Sequence, residues 1–329
     1  MKKFLLTTSP ILVGIASLYF GSYKIPLEVL LKVLFFPFFP KVKNAFPWAF
    51  AILWEIRVPR VLVAGLVGAA LSACGVVLQA IFRNPLVDSY ILGISAGAAF
   101  GCAITVGFLS FLPVQPMAFL FGILAVMLTY FTARSQGEVN RLALVLSGVI
   151  VTAFFSALVS IIKFLVDPHK LQSIVYWLMG SFSLADWHTV KLATPGIVLG
   201  IVPLLLMRWR LNVISMGDEE AKALGINVER ERLLFISFAT LCAATATSVC
   251  GIIGWVGLMI PHLIRMITGP DHKTLLPLSI TSGAAFMILA DTLARSLTSF
   301  DIPVGIITAL TGAPFFVYLM KKSASTGWN

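Results

Sequence analysis

The sequence has few charged residues and no motif for binding a nucleotide. Only 12% of its 329 residues are Asp, Glu, Lys or Arg, whereas 59% are hydrophobic and the mean hydropathy is +0.97. Because soluble domains carry about 25% charged residues, this composition excludes an ordinary soluble protein and predicts a polytopic membrane protein. The pattern G-x-x-x-x-G-K-[ST] does not occur, so the chain has no P-loop of its own.

Residue types that catalyse reactions or bind metals are scarce and scattered. The four histidines lack H-x-x-x-H or H-E-x-x-H spacing, and the four cysteines stand singly in apolar runs without a C-x-x-C. We therefore expect no catalytic residue, metal site or cofactor on this chain, and we interpret the cysteines as core residues. The net charge of +10 fits the Lys and Arg of cytoplasmic loops. Without a basic patch interleaved with aromatics, we expect no nucleic-acid partner.

Apolar runs that can cross a membrane, each of about 20 residues, occur ten times along the chain. The predicted spans are residues 4–22, 58–80, 91–111, 115–134, 141–166, 191–209, 231–252, 255–268, 275–296 and 304–321. The basic and then apolar start of the chain lacks a convincing cleavage site, so we interpret it as the first span. The sequence thus predicts an all-α polytopic membrane protein with about ten transmembrane helices in one domain, residues 1–329.

Lys and Arg are unequally shared between the two sets of loops. With both termini inside, 14 of the 24 basic residues lie on the cytoplasmic side and 10 lie outside, which predicts cytoplasmic termini. Arg57, Arg60 and Arg295 then fall outside, against the usual rule, and this anomaly suggests a function for them. Asp291 lies one helical turn before Arg295 and is expected to orient it.

The inner loop at about residues 210–230 contains a short helix with its own start and stop signals, in the stretch SMGDEEAKALGI. Asp218 can cap this helix, two glutamates occupy its first turn, and Gly225 can end it. At ~1.5 Å per residue it is roughly 10 Å long, with Ala221 and Leu224 on one side. From the residues alone, a docking helix for a cytosolic partner and an ordinary surface helix are equally open.

A polar stripe runs along the fifth predicted span. Thr152, Ser156, Ser160 and Lys163 follow at spacings of four, four and three residues, which places them within a stripe about 80° wide. Such groups either bond back to the carbonyls of their own helix or face a hydrated pathway. Lys163, at the outer end of the stripe, favours the pathway.

Several stretches together resemble one known family, the FecCD (BtuC-like) permease subunits of ABC importers for iron chelates, haem and vitamin B12. The resemblance covers nearly all of the chain after residue 57, although residues 87–90, VDSY, depart from the family pattern after RNPL. The stretches are RVPRVLVAGLVGAALSACG (57–75), FRNPLVDSYILGISAGA (82–98), YWLMGSFSLADW (176–187), GDEEAKALG (217–225), GIIGWVGLMIPHLIR (251–265), GPDHKTLLP (269–277), ADTLAR (290–295) and DIPVGIITALTGAPFF (301–316).

The resemblance implies a permease of the bacterial or archaeal cell membrane, surrounded by lipid, that works as a homodimer or beside a close paralogue. It implies two ABC ATPase subunits that carry ATP and Mg²⁺, and a periplasmic or lipid-anchored substrate-binding protein. It also implies three sets of site residues. These are a coupling element for the ATPase at Gly217, Asp218, Glu219, Glu220, Ala221, Leu224 and Gly225, docking arginines for the binding protein at Arg57, Arg60 and Arg295, and a cytoplasmic gate at Asn84, Leu86, Val139 and Asn140.

The function expected from this resemblance is inward transport of an iron–siderophore, haem or cobalamin-type chelate by alternating access. The chain itself is not expected to be an enzyme, since ATP would be hydrolysed on another subunit. An oxyanion such as molybdate or tungstate is the alternative cargo. An ion-coupled secondary transporter is the alternative class, and it requires buried carboxylates near the midplane, for which Asp291 is the only strong candidate. A sensor or structural membrane protein would leave the capped inner helix unexplained.

Overall fold

The computed structural model describes residues 2–21, 23–35, 42–135, 138–298 and 300–325. Within these ranges the secondary structure is helical apart from one antiparallel pair of two-residue strands, β1 (Arg134–Ser135) and β2 (Glu138–Val139). The α-helices are α1 (Lys2–Tyr19), α2 (Leu27–Leu34), α3 (Val42–Ala45), α4 (Pro47–Phe50), α5 (Val58–Phe82), α6 (Ile94–Phe108), α7 (Val114–Ala133), α8 (Arg141–Leu165), α9 (Pro168–Leu178), α10 (Trp187–Leu206), α11 (Arg208–Met216), α12 (Asp218–Ala223), α13 (Val228–Cys250), α14 (Val256–Thr268), α15 (His272–Ser296) and α16 (Val304–Ser325).

Ten of the described helical segments match the ten predicted spans. Six are long and apolar enough to cross a membrane, namely the continuous run Pro47–Phe82 and helices α7, α8, α10, α13 and α15. Shorter apolar helices, α1, α6, α14 and α16, supply the other four. The prediction of an all-α polytopic membrane protein is therefore confirmed, while the cytoplasmic location of the termini stays a prediction.

The boundaries of two spans differ from the prediction for identifiable backbone reasons. The second span begins upstream of residue 58, because a π-helical turn at Ala51–Arg57 leads without a break into α5. A proline in the first turn of a helix needs no amide partner, so Pro59 does not mark the start of the span. The third span is shorter than predicted, since a 3₁₀ turn at Ser89–Leu92 and the left-handed Gly93 (φ 80°) precede α6.

Helix α5 forms the centre of the bundle and is buried along nearly its whole length. It packs against α15, α13, α14 and α10. Two contacts require glycine: a Cβ built on Gly68 would lie 2.2 Å from the carbonyl oxygen of Gly283, and one on Gly75 would lie 1.8 Å from that of Gly257. Backbones therefore touch directly, as small residues permit in membrane bundles. The four cysteines are buried, as predicted.

Shorter helices lie between the spans. Helix α2 follows the first span and buries Leu30 and Val33 on one side. Helix α9 was not predicted, although Asp167 caps it by accepting hydrogen bonds from the amides of His169 and Lys170. Helix α11 likewise occupies part of the stretch that was expected to be a loop at 210–230.

Candidate functional site

At one end of α5, the buried carboxylate of Asp291 and the partly exposed carboxylate of Asp301 bind the guanidinium group of Arg60. Its Nε donates to both carboxylate oxygens of Asp291, at 2.9 and 3.1 Å, and its Nη1 lies 2.6 Å from Oδ2 of Asp301. The side chains of Arg60 and Asp291 are 8% and 1% exposed. A charge-assisted pair removed from water in this way joins α5 to α15 and to the segment before α16.

The two neighbouring arginines fasten α1 to this end of the bundle. Arg57 donates to the carbonyl oxygens of Leu18 and Tyr19, at 2.6 and 3.2 Å, which are left free at the end of α1. Arg295 donates to both the carbonyl and the hydroxyl oxygen of Ser17, at 2.6 and 2.7 Å, and its Nε lies 3.6 Å from Asp291. We call these three arginines with Asp291 and Asp301 the arginine cluster.

Docking of a binding protein at Arg57, Arg60 and Arg295 stays a prediction, and the structure adds that all three side chains are buried. The three residues are 3%, 6% and 5% exposed, and groups of this chain already bind their guanidinium groups. The sequence located these cations at span ends, but it did not show that Asp291, Asp301 and the end of α1 converge on them. The pairing of Asp291 with Arg295 is confirmed, and Arg60 is its closer partner.

A cavity of about 680 Å³ lies between α8, the segment that joins α5 to α6, and the start of α14. Among the residues of its lining, Asp88, Tyr90 and Thr152 bring polar side chains, while Trp255 and Leu86 bring apolar ones. The carboxylate of Asp88 also accepts a hydrogen bond from the amide of Tyr90 at 2.7 Å. The arrangement is a largely apolar chamber with a single acidic group among its described lining residues.

Only part of the predicted polar stripe lines this cavity, and the rest lies on a more exposed face of α8. Thr152 lines the cavity together with Ala153. Ser156 and Ser160 are exposed, and the hydroxyl of Ser160 bonds back to the carbonyl oxygen of Ser156 at 2.9 Å. Lys163 is half-buried. One of the four residues therefore reaches the cavity, and the other three continue the same face of α8 beyond it.

The residues predicted as a gate are turn and cap residues. The side chain of Asn84 accepts a hydrogen bond from the amide of Leu86, whose own side chain is 60% exposed and reaches the central cavity. Asn140 caps α8 by accepting from the amide of Leu142. Val139 pairs with Arg134 in the two-residue ladder, and its side chain lies outside the described part of the structure.

Helix α12 confirms a short helix in the predicted coupling element, but two of its details differ from the expectation. Its cap position is Gly217, which has no side chain, and Asp218 is its first helical residue. The carboxylate of Asp218 is free to bind arginines of other elements instead. Ala221 is fully buried and Leu224 is 61% exposed, so the two do not form one docking face. Gly225, at φ 76°, ends the helix as predicted.

Three arginines surround the carboxylate of Asp218. Arg141 binds one oxygen, which also lies 3.7 Å from Nη2 of Arg83, and Nη2 of Arg232 donates to the other oxygen at 3.0 Å. Burial alone would raise the pKa of Asp218, but the hydrogen bond from Arg141 and the charge of Arg232 outweigh it, and the pKa is lowered. We call these four residues the Asp218 cluster.

The sequence predicted several charged residues of these two clusters, but it did not predict the residues with which they pair across the fold. Asp301, Arg83, Arg141 and Arg232 lie 14 to 241 positions from the residues they bind. The spacing of charged residues along a helix predicts only ion pairs between residues three or four positions apart. Asp88 carried a usable signal, since this acidic residue stands two positions after RNPL, in the stretch where the chain departs from the family pattern.

A bundle of helices that can cross a membrane, with a cavity of about 680 Å³ among them, fits the class of membrane permeases. The chain is a member of the FecCD transport family, whose model matches residues 9–322. It is accordingly a multi-pass protein of the cell membrane.

Relatives are similar to the chain over most of its length. A probable iron chelatin transport system permease protein of Helicobacter pylori (strain ATCC 700392 / 26695) is 42% identical, over 98% of this chain and 99% of its own. The molybdate import system permease protein MolB of Haemophilus influenzae is 41% identical, over 84% and 83%. A solved "metal-chelate type ABC transporter" in "an inward-facing conformation" is 38% identical, with a TM-score of 0.86 over 97% and 98% of the two chains.

Proposed function

We propose that the chain is the permease subunit of an ABC importer and carries a metal chelate inward, with ATP hydrolysed on two separate subunits. The observation that carries the proposal is α12. This helix holds Ala221 in the core and exposes Glu219, Glu220 and Leu224, in a sequence that has no P-loop. Acidic residues in the first turn suit a helix N-terminus, and an exposed leucine beside them suits a protein groove.

The proposed cargo is an iron–siderophore, haem or cobalamin-type chelate. The similarity to the iron chelatin permease extends over both whole chains, and that to MolB over about five-sixths of each. The cavity of about 680 Å³ has the volume of a drug-sized ligand site. Asp88 is the acidic group that a cargo in this cavity would meet among the described lining residues.

Molybdate or tungstate is the second candidate cargo, favoured by the 41% identity to MolB. Uptake into proteoliposomes that contain the whole complex distinguishes the two classes. We expect a ferric chelate to accumulate on addition of ATP and molybdate not to accumulate. Accumulation of molybdate alone would overturn the chelate assignment while leaving the importer assignment intact.

The permease is proposed to work with several partners. These are a second permease chain, identical or a close paralogue, two ABC ATPase subunits and a substrate-binding protein. The exposed apolar side chains of α8 and α16, such as Leu146, Val149, Leu310 and Val317, support an apolar neighbour, either lipid or the second chain. The mass of the complex purified in nanodiscs gives the number of permease chains directly.

Loss of ATPase binding in one α12 variant tests the importer assignment. Leu224→Asp places a charge in the proposed groove contact, and we expect binding of the ATPase subunit to weaken at least tenfold, about 1.4 kcal/mol. Leu184→Asp is the matched control, since Leu184 is 88% exposed at the opposite end of α10. Equal recovery of the ATPase subunit with both variants, in a pulldown from detergent, would contradict docking through α12.

The cargo pathway is proposed to follow Thr152, Ser156, Ser160 and Lys163 towards a gate at Asn84, Leu86, Val139 and Asn140. Support comes from Thr152 and Leu86, which line the same cavity from different segments. Single cysteines at positions 152, 156 and 160 should react with a water-soluble maleimide, and cysteines at the buried positions Phe155 and Ile162 should not. Equal protection at all five positions would leave the stripe with a packing role only.

A further inference from the structure

The Asp218 cluster joins three segments that are far apart in the sequence. Arg83 is the residue that follows α5, Arg141 is the first residue of α8, and Arg232 lies in the first turns of α13. All three guanidinium groups reach the one carboxylate at the start of α12. A cavity of about 790 Å³ adjoins the cluster, and Glu219, Glu220, Lys222 and Glu229 also line it.

Two arginines of this cluster, Arg83 and Arg141, are immediate sequence neighbours of predicted gate residues. Asn84 follows Arg83, and Asn140 precedes Arg141. Both junctions lie at defined helix ends. Arg83 adopts a left-handed conformation, φ 49°, that ends α5, and Asn140 caps α8 by accepting a hydrogen bond from the amide of Leu142. Each guanidinium group is therefore attached to the backbone next to a predicted gate residue.

The backbone of α12 packs against α11 and α13, and Ala221 is its buried residue. Among the described residues, the ion pairs of Asp218 with Arg83 and Arg141 link α12 to the end of α5 and the start of α8. Exposed or half-exposed pairs contribute only about 0.2–1 kcal/mol each, and the side chain of Asp218 is 39% exposed. Such pairs transmit a displacement yet can break and form again within a transport cycle.

We propose that Asp218 is a positioning residue that links the ATPase-binding helix α12 to the two segments of the gate through Arg83 and Arg141. The inference rests on the proposed importer function. When the ATPase subunit moves α12, the shared carboxylate pulls on the end of α5 and the start of α8 together, so both halves of the gate respond to the same movement. Arg232 holds the carboxylate towards α13 while this happens.

The test follows the gate instead of overall transport. In the complex of permease and ATPase subunits in nanodiscs, Leu86→Cys is the reporter, in a background where Cys74, Cys102, Cys242 and Cys250 are replaced. Its labelling rate with a water-soluble maleimide is measured with and without a non-hydrolysable ATP analogue and Mg²⁺. We expect the nucleotide to change the rate in the reporter background, and we expect Asp218→Asn to lose that change while the ATPase subunit still binds.

Two arginine variants and one control separate linkage from damage to the fold. Arg141→Gln should lose the nucleotide response as Asp218→Asn does, whereas Arg141→Lys, which keeps the charge, should retain it in part. Glu229→Gln removes a carboxylate from the same cavity and should keep the full response. A full response in both Asp218→Asn and Arg141→Gln would overturn the linkage. Failure of the unmodified permease to bind an ATPase subunit would instead overturn the importer assignment, and this inference with it.

Discussion

Two clusters of arginine and aspartate occupy opposite ends of the bundle, and they differ in how far water reaches them. Arg60 and Arg83 bracket α5 and are separated by about 35 Å at 1.5 Å per residue. In the arginine cluster, Arg60 and Asp291 are 8% and 1% exposed, whereas in the Asp218 cluster Arg141 and Asp218 are 23% and 39% exposed. The central carboxylate is thus buried at one end, in Asp291, and reached by water at the other, in Asp218.

The difference indicates two uses of one kind of interaction. A buried ion pair is expensive to break, because either partner left alone is a charge in a weakly polar surrounding. The arginine cluster therefore fastens α1, α5 and α15 together permanently. A half-exposed pair costs little to break, since water replaces each partner. The Asp218 cluster can therefore rearrange at the end where a moving subunit is proposed to bind.

The largest effect is expected from removing the central cation of the arginine cluster. Arg60→Gln deprives Asp291 and Asp301 of their shared guanidinium group, and loss of one partner of a buried pair costs about 3–5 kcal/mol. We expect the variant to be recovered poorly and to unfold at a markedly lower temperature in detergent. Arg230→Gln, at an exposed position at the start of α13, is the matched control and should behave as the unmodified protein.

A double variant shows whether the loss comes from the carboxylate that has lost its closer partner. Asp291→Asn added to Arg60→Gln removes that charge, so the combined loss of stability should be smaller than the sum of the two single losses. Arg295 keeps its bonds to Ser17 in that background. Strict additivity of the two losses would mean that Arg60 and Asp291 do not act as a pair.

The arginine cluster also shows how far the sequence could predict this molecule. Ten apolar runs located the ten principal helices, because membrane spans need length and hydropathy alone. The start and end signals of α12 were local and gave its position to within a residue. Asp301, 241 positions from Arg60, could not be assigned to it, since that contact depends on how whole helices pack. The burial of the three arginines could not be read from the sequence for the same reason.

An intermediate effect is expected at the rim of the arginine cluster, where burial decreases. Asp301 lies 2.6 Å from Arg60 and its side chain is 30% exposed. Asp301→Asn should cost about 1 kcal/mol, towards the upper limit for exposed pairs, because Arg60 keeps Asp291. Thermal unfolding of Asp301→Asn and Arg60→Gln in the same detergent shows which variant loses more stability. A loss for Asp301→Asn as large as that for Arg60→Gln would contradict the dependence on burial.

The smallest effect, and the one that distinguishes the two ends most finely, is the pH dependence of the Asp218 cluster. The arginines lower the pKa of Asp218 below its ordinary value, which is about 3.9 in unstructured chains. A carboxyl group whose folded pKa is lowered stabilises the folded state fully above its unfolded pKa, and this contribution is lost as pH falls through the folded pKa.

Asp218→Asn abolishes the contribution at every pH. The difference in unfolding temperature between the unmodified protein and this variant should therefore be constant from about pH 7 to 5 and should shrink below about pH 4. Its size should stay below about 1 kcal/mol, because water and salt screen a half-exposed carboxylate. A difference that disappeared between pH 7 and 5 would mean that another group, with a higher pKa, holds the three arginines together.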